Sequence, residues 1–202
     1  MTSKPLFFHN PKAGGTAINL ALGDKVFRAG HMNLAQFKNQ NKKLLNTAFK
    51  FAIVRNPWDR FLSTYTFAQQ EINIFHNNTN PKDALFGEHP DYHIASKVSF
   101  EEYAFLFCEQ SEKLKHPGLS HQHIYTHING KKCIDMILKF ENLQIDFDSF
   151  CERMHFDNVE LKKVNVSRED EYHNYYSQES WAIVEDYYAE DIALFNYEYD
   201  HL

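Results

Sequence analysis

The segment FFHNPKAGGTAINLAL, Phe7 to Leu22, constrains this chain more than any other. A short apolar run from Leu6 to His9 is interrupted at Asn10 to Gly15 by a proline and paired glycines, and Thr16 to Leu22 are good helix formers. The order strand, tight loop, helix predicts an anion cradle. Gly14 and Gly15 let the main chain approach a ligand closely, and the helix N-terminus favours negative charge. Lys12 and Thr16 add a cation and a hydroxyl donor. A phosphate or phosphosulfate is the expected guest, held by Pro11, Lys12, Ala13, Gly14, Gly15, Thr16 and Ala17.

A second strand-to-helix passage follows in FAIVRNPWDRFLSTY, Phe51 to Tyr65. Phe49 to Arg55 reads as a buried strand, and Pro57 opens a helix running to about Ile72. Between the two passages, Asn33 to Ala48 is polar with Leu34, Phe37, Leu44 and Leu45 at helical spacing, a surface helix. Two such crossovers close together imply an α/β fold with a central parallel sheet flanked by helices. Arg55 at the strand end and Ser63 in the helix can converge on one phosphate, because the guanidinium fork suits a terminal phosphate and a serine hydroxyl adds one donor.

Later segments are less sharply marked. Residues 73–98 are rich in Asn, His and Pro with weak periodicity, an irregular insertion or lid in which His89 and His93 are candidate acceptor contacts. Ser99 with Glu102 forms a capping box for a helix to about Cys108, and Asn129-Gly130 marks a hairpin turn before a strand to Phe140. Leu143 to Met154 reads as a helix. A final helix after Ser177 carries Trp181, Val184, Tyr188, Ile192 and Phe195 on one face.

With 202 residues, the chain is expected to form a single domain, 1–202. A net charge of −6 argues against a general nucleic-acid binder, which needs a basic surface to neutralise phosphates. No stretch approaches the roughly 20 apolar residues of a membrane span. The first ten residues lack a signal-peptide pattern, so the expected location is cytoplasmic. Cys108, Cys133 and Cys151 are odd in number and widely spaced, which predicts buried free thiols rather than disulfides.

The two motif segments together resemble the sulfotransferase superfamily, in particular the Golgi-type carbohydrate sulfotransferases, their heparan sulfate 2-O branch and bacterial relatives. KFENL at Lys139 to Leu143 and VNVSRE at Val164 to Glu169 extend the likeness over most of the chain. The resemblance implies a P-loop-like sulfotransferase fold. It further implies that 3'-phosphoadenosine 5'-phosphosulfate (PAPS) is the co-substrate, gripped at its 5' end by His9 to Thr16 and at its 3'-phosphate by Arg55 and Ser63. By the same likeness Ser167 and Arg168 close over the nucleotide, a carbohydrate or glycoconjugate hydroxyl is the acceptor, and His31 in Gly30-His31-Met32 is the general base. A neutral imidazole, with an ordinary pKa near 6.5, is chemically suited to take an alcohol proton. Lys12 would stabilise charge on the leaving phosphate oxygen, so no metal is expected. Where relatives often carry Thr, this chain has Ala13.

Three other readings stand beside this one. A kinase using ATP is disfavoured because Lys12 precedes the paired glycines, whereas the Walker loop places Lys after its last Gly. A non-catalytic nucleotide- or glycan-binding module would keep the cradle without turnover. His121, His123 and His127 have an H-x-H-x3-H spacing that could hold zinc, or could line an acceptor cleft.

Overall fold

The computed structural model describes residues 4–70, 89–157, 159–162 and 171–198. Its first half alternates strand and helix: β1 (Leu6–Phe8), α1 (Gly15–Leu22), β2 (Phe27–Arg28), α2 (Leu34–Thr47), β3 (Lys50–Val54) and α3 (Pro57–Ala68). Then come α4 (Tyr92–Ala95), α5 (Phe100–Glu109), β4 (His127–Ile128), β5 (Lys131–Lys132), β6 (Met136–Lys139), α6 (Leu143–Met154), α7 (Gln178–Tyr187) and α8 (Ala189–Phe195). The expected parallel sheet is present, in the order β2-β1-β3-β6 with every pairing parallel.

By their contacts the residues group into two compact units, the first of Met1–Asn56, Ser120–Asn165 and Glu190–Leu202, the second of Pro57–Leu119 and Val166–Ala189. The first holds the sheet, and its central strands β1 and β3 are apolar on both faces because helices cover both. Phe7, Phe51, Ile53 and Leu138 point to one side, where they pack with Ile18 of α1 and Phe147 and Phe150 of α6. Leu6, Phe8 and Ala52 point to the other, against Leu34, Phe37 and Leu45 of α2. This alternation is the period of two that a pleated strand imposes. Asn33 caps α2 reciprocally with Gln36, and Asn41 kinks that helix at φ −137°.

The second unit is built on aromatic rings. Trp58 stacks on Trp181 at 4.5 Å, and Phe61 meets Phe100, Tyr103 and Phe107 within 5.8 Å. Buried Asp91 accepts from the main-chain N–H groups of Lys115 (2.7 Å) and His116 (3.0 Å). Its carboxyl pKa is raised, because desolvation outweighs those bonds.

The Ser99–Glu102 capping box forms as expected, and Asn129 and Gly130 join β4 to β5 with φ values of 51° and 72°, the left-handed pair a tight hairpin demands. Two expectations change. The long C-terminal helix is broken at Tyr188, where ψ is 19° and the buried phenol donates to Leu119 O at 2.7 Å. Of the cysteines only Cys151 is buried, and Cys108 is exposed. Of the irregular segment at 73–98, residues 73–88 lie outside the described residues, while 89–98 contain α4. No helix among the described residues is long and apolar enough to cross a membrane.

Candidate active site

All four parallel strands end on one edge of the first unit, the edge where open α/β sheets bind ligands. The loop leaving β1 delivers Lys12 and enters α1 through Gly14, which sits at the helix N-cap with φ 84°. No side chain caps this helix and no acidic residue occupies its first turn, so its leading amides and partial positive charge face outward. Thr16 is exposed in that turn, while Pro11, Ala13 and Ala17 are buried beneath it. Lys12 adopts φ 65°, a left-handed conformation that few residues with a Cβ take without compensation.

Both glycines are required by what lies behind them. A Cβ on Gly14 would stand 2.8 Å from the ring of Phe140, and a Cβ on Gly15 would fall onto the imidazole of His9. The cradle is therefore walled by two rings, one from the end of β6 and one from the end of β1. Only glycine lets these two rings pack so closely against the main chain of the loop.

Arg55 follows β3 directly, and its Nη1 donates to the carbonyl oxygen of Lys12 at 2.9 Å. The guanidinium carbon lies 4.1 Å from the centre of the Phe140 ring. Arg55 and the Lys12 loop thus share one edge of one unit. Burial, and then the charge of Arg55, lower the Lys12 ammonium pKa from 10.5 to about 7. Two cations brought together this way are stabilised by an anion placed between them.

His31 reaches the same place through the sheet register. Leu6 and Phe7 pair with Phe27 and Arg28, and the parallel alignment continues with His9 N–H donating to Gly30 O at 3.2 Å. His31 Nδ1 lies 3.1 Å from His9 O, and the two rings are 4.5 Å apart. A carbonyl can only accept, so Nδ1 carries the proton and Nε2 of neutral His31 keeps its lone pair. His9 is held neutral: burial, with a smaller contribution from His31, lowers its pKa to about 3. It stacks on Phe7 at 5.6 Å, and its Nδ1 faces Asn19 Nδ2 at 3.4 Å.

The structure thus brings together Lys12, the glycine pair, Thr16, Arg55 and His31. Ser63 belongs to the second unit, where it is buried on α3. Ser167 and Arg168 lie outside the described residues. His89, a candidate acceptor contact from sequence, is buried in the second unit, stacked on His116 at 4.8 Å with Nδ1 accepting from Asp91 N at 3.1 Å. His121, His123 and Asp191 have ligand atoms within 4.8 Å of one another. Asp191, however, already accepts from Gln122 N (2.6 Å), His123 N (2.8 Å) and His123 Nδ1 (2.9 Å). That hydrogen bond raises the His123 pKa. His127, the third histidine of the spacing, pairs with the Thr126 hydroxyl at 2.7 Å.

Sequence reasoning missed the supports. Phe140 was visible only as a strand end within KFENL, and His9 only as the first residue of the gripping loop, neither as a wall behind a glycine. Glu141, which accepts from Asn56 N at 2.5 Å and from the Tyr197 hydroxyl at 3.1 Å, carried no local signal.

The model of the sulfotransferase family matches residues 21–198, a span that begins inside α1 and leaves the glycine loop as an independent observation. No curated protein matches the chain. The matched span covers most of the sequence, and the chain belongs to the sulfotransferase family.

Proposed function

We propose that this sulfotransferase takes PAPS as donor and a hydroxyl of a carbohydrate or glycoconjugate as acceptor. The observation that carries the donor is the meeting of Lys12 and Arg55 at the carboxyl edge of the sheet, two cations beside an uncapped helix N-terminus. A nucleotide with anions at both its 5' and 3' ends suits that arrangement. The glycine cradle suits the 5'-phosphosulfate, since it leads into a helix N-terminus that no side chain caps. Arg55 would hold the 3'-phosphate, and the sequence motif adds Ser63 as a second donor to it. The carbohydrate acceptor rests on the resemblance of the HNPKAGGT and GHM segments to the carbohydrate branch.

In the transfer, the acceptor oxygen bonds to sulfur as the bond from sulfur to the 5'-phosphate oxygen breaks, and 3',5'-ADP leaves. Lys12 and the first amides of α1 stabilise the charge that grows on that phosphate oxygen. His31 accepts the acceptor's proton at Nε2, the nitrogen left available by its Nδ1 contact with His9 O.

Titration calorimetry with 3',5'-ADP, 5'-AMP and ATP tests the reading. An arginine on a phosphate makes charge-assisted hydrogen bonds of about 1.5–3 kcal/mol, so 3',5'-ADP is expected to bind at least about tenfold more tightly than 5'-AMP. Equal affinity for the two, or tightest binding of magnesium-ATP, overturns it. Release of 3',5'-ADP from PAPS that depends on added glycan then tests turnover.

A further inference from the structure

Gln122 is fully buried and lies 67 residues from Arg55 in sequence, yet its side chain is spent on the main chain of that residue. Its Oε1 accepts from Arg55 N at 2.9 Å, and its Nε2 donates to Arg55 O at 2.7 Å. Val54 is the last residue of β3 with a strand partner, so the carboxamide serves Arg55 as one more rung of the ladder. The same Oε1 accepts from Asn10 Nδ2 at 2.9 Å, and Asn10 Nδ2 also donates to Ile53 O at 3.0 Å. Asn10 is buried and stands two residues before Lys12. One amide group therefore ties the root of the Lys12 loop to the root of the Arg55 side chain.

Gln122 is itself anchored. Its N–H donates to the buried carboxylate of Asp191 at 2.6 Å, and His123 N–H and Nδ1 bind the other oxygen of that carboxylate. A buried chain of bonds of this kind holds its members rigidly, because breaking one leaves buried polar groups unpaired, which costs more than the bond itself contributes. The Gln122 side chain is spent on Arg55 and Asn10, and Asn10 spends its Nδ2 on Ile53 O and Gln122 while its Oδ1 is buried without a hydrogen-bond partner.

We infer that Gln122 is a positioning residue that sets the span between the Lys12 loop and Arg55, and so fits the site to a nucleotide carrying two anions at a fixed separation. The inference rests on the reading of the donor given above. A general structural brace, by contrast, would weaken all nucleotides alike. A span-setting residue weakens the two-anion ligand selectively, because a one-anion ligand can follow whichever half of the site moves.

The test compares wild type with Gln122→Met, which keeps length and loses every side-chain polar contact. Gln122→Glu serves as a second variant, keeping both acceptor contacts but placing a carboxylate oxygen where Nε2 donated to Arg55 O. Affinities for 3',5'-ADP and 5'-AMP are measured by calorimetry, with near-ultraviolet circular dichroism to verify the fold. In Gln122→Met the preference for 3',5'-ADP is expected to fall by about tenfold while 5'-AMP affinity is little changed, and the preference is expected to fall in Gln122→Glu as well. Should Gln122→Met not fold, the selective fall in Gln122→Glu carries the same inference. Wild type lacking the preference overturns the donor reading and this inference with it. Wild type showing the preference, with folded variants that retain it or lose both affinities together, overturns the role of Gln122 alone.

Discussion

The ring of Phe140 does two things at once: it stacks 4.1 Å from the guanidinium carbon of Arg55 and it stands where a side chain on Gly14 would have to go. One aromatic side chain at the end of β6 thereby spaces the loop and the strand-end cation. Stacking of this kind is worth about 0.5–2 kcal/mol, so Phe140→Leu should weaken 3',5'-ADP binding by about 2- to 30-fold. Gly14→Ala meets both the ring and a φ of 84°, and the left-handed backbone alone costs roughly 1–2 kcal/mol. Urea denaturation should show that loss. A folded Phe140→Leu protein with unaltered affinity would remove Phe140 from the site.

Lys12 makes nucleotide binding depend on pH in a defined direction. Burial first, and then Arg55, hold its pKa near 7 in the free protein, and a bound anion must raise it. Binding therefore takes up a proton above neutral pH, and affinity declines as pH rises from about 7 towards the pKa of the complex. Calorimetry at pH 8 in buffers of different ionisation enthalpy should reveal the uptake, and Lys12→Met should abolish it. The same depressed pKa means that the unfolded chain binds this proton more tightly than the native one. Stability from this group is thus gained as pH rises from about 7 to 10.5, and Lys12→Met should stabilise the ligand-free protein at neutral pH. Turnover in that variant should drop by about 10²- to 10³-fold.

His31 is exposed at the ligand edge and oriented by a main-chain carbonyl, so its loss should harm chemistry and spare binding. His31→Ala is expected to lower the rate of 3',5'-ADP release by about 10²- to 10⁴-fold with nucleotide affinity maintained. Near-normal turnover in that variant would assign the proton to another group.

What the sequence made legible was local. The strand, loop and helix around Lys12 announced themselves through Pro11 and the paired glycines, and α6 and the Ser99 cap through spacing and cap chemistry. The hairpin at Asn129-Gly130 was readable because only left-handed backbone joins β4 to β5. What escaped was set by pairing across the sheet. β2 is two exposed residues with no hydrophobic pattern, yet its register alone brings His31 beside His9. Gln122 looked like one more residue in a His-rich stretch, and nothing near it predicts a bond to a strand end 67 residues away. The C-terminal periodicity ran unbroken through Tyr188, because Tyr188 is buried whether or not the helix continues, and the break depends on its phenol finding Leu119 O.

The pairing of Gly15 with His9 yields the sharpest genetic test. Gly15→Ala would drive a methyl group into an imidazole that is partly buried, stacked on Phe7 and held neutral, and such a ring can move only by disturbing the strand beneath it. That variant should lose stability by about 1–3 kcal/mol and bind 3',5'-ADP poorly. Shortening the ring to a methyl in His9→Ala leaves the space open, so the double variant should recover much of the stability that the two single changes would lose if they were independent. Melting temperatures of the four proteins give the coupling directly. Strict additivity would mean that His9 does not wall the cradle. Coupling with recovered stability but no recovered affinity would show that the imidazole, beyond filling space, shapes the loop that receives the nucleotide.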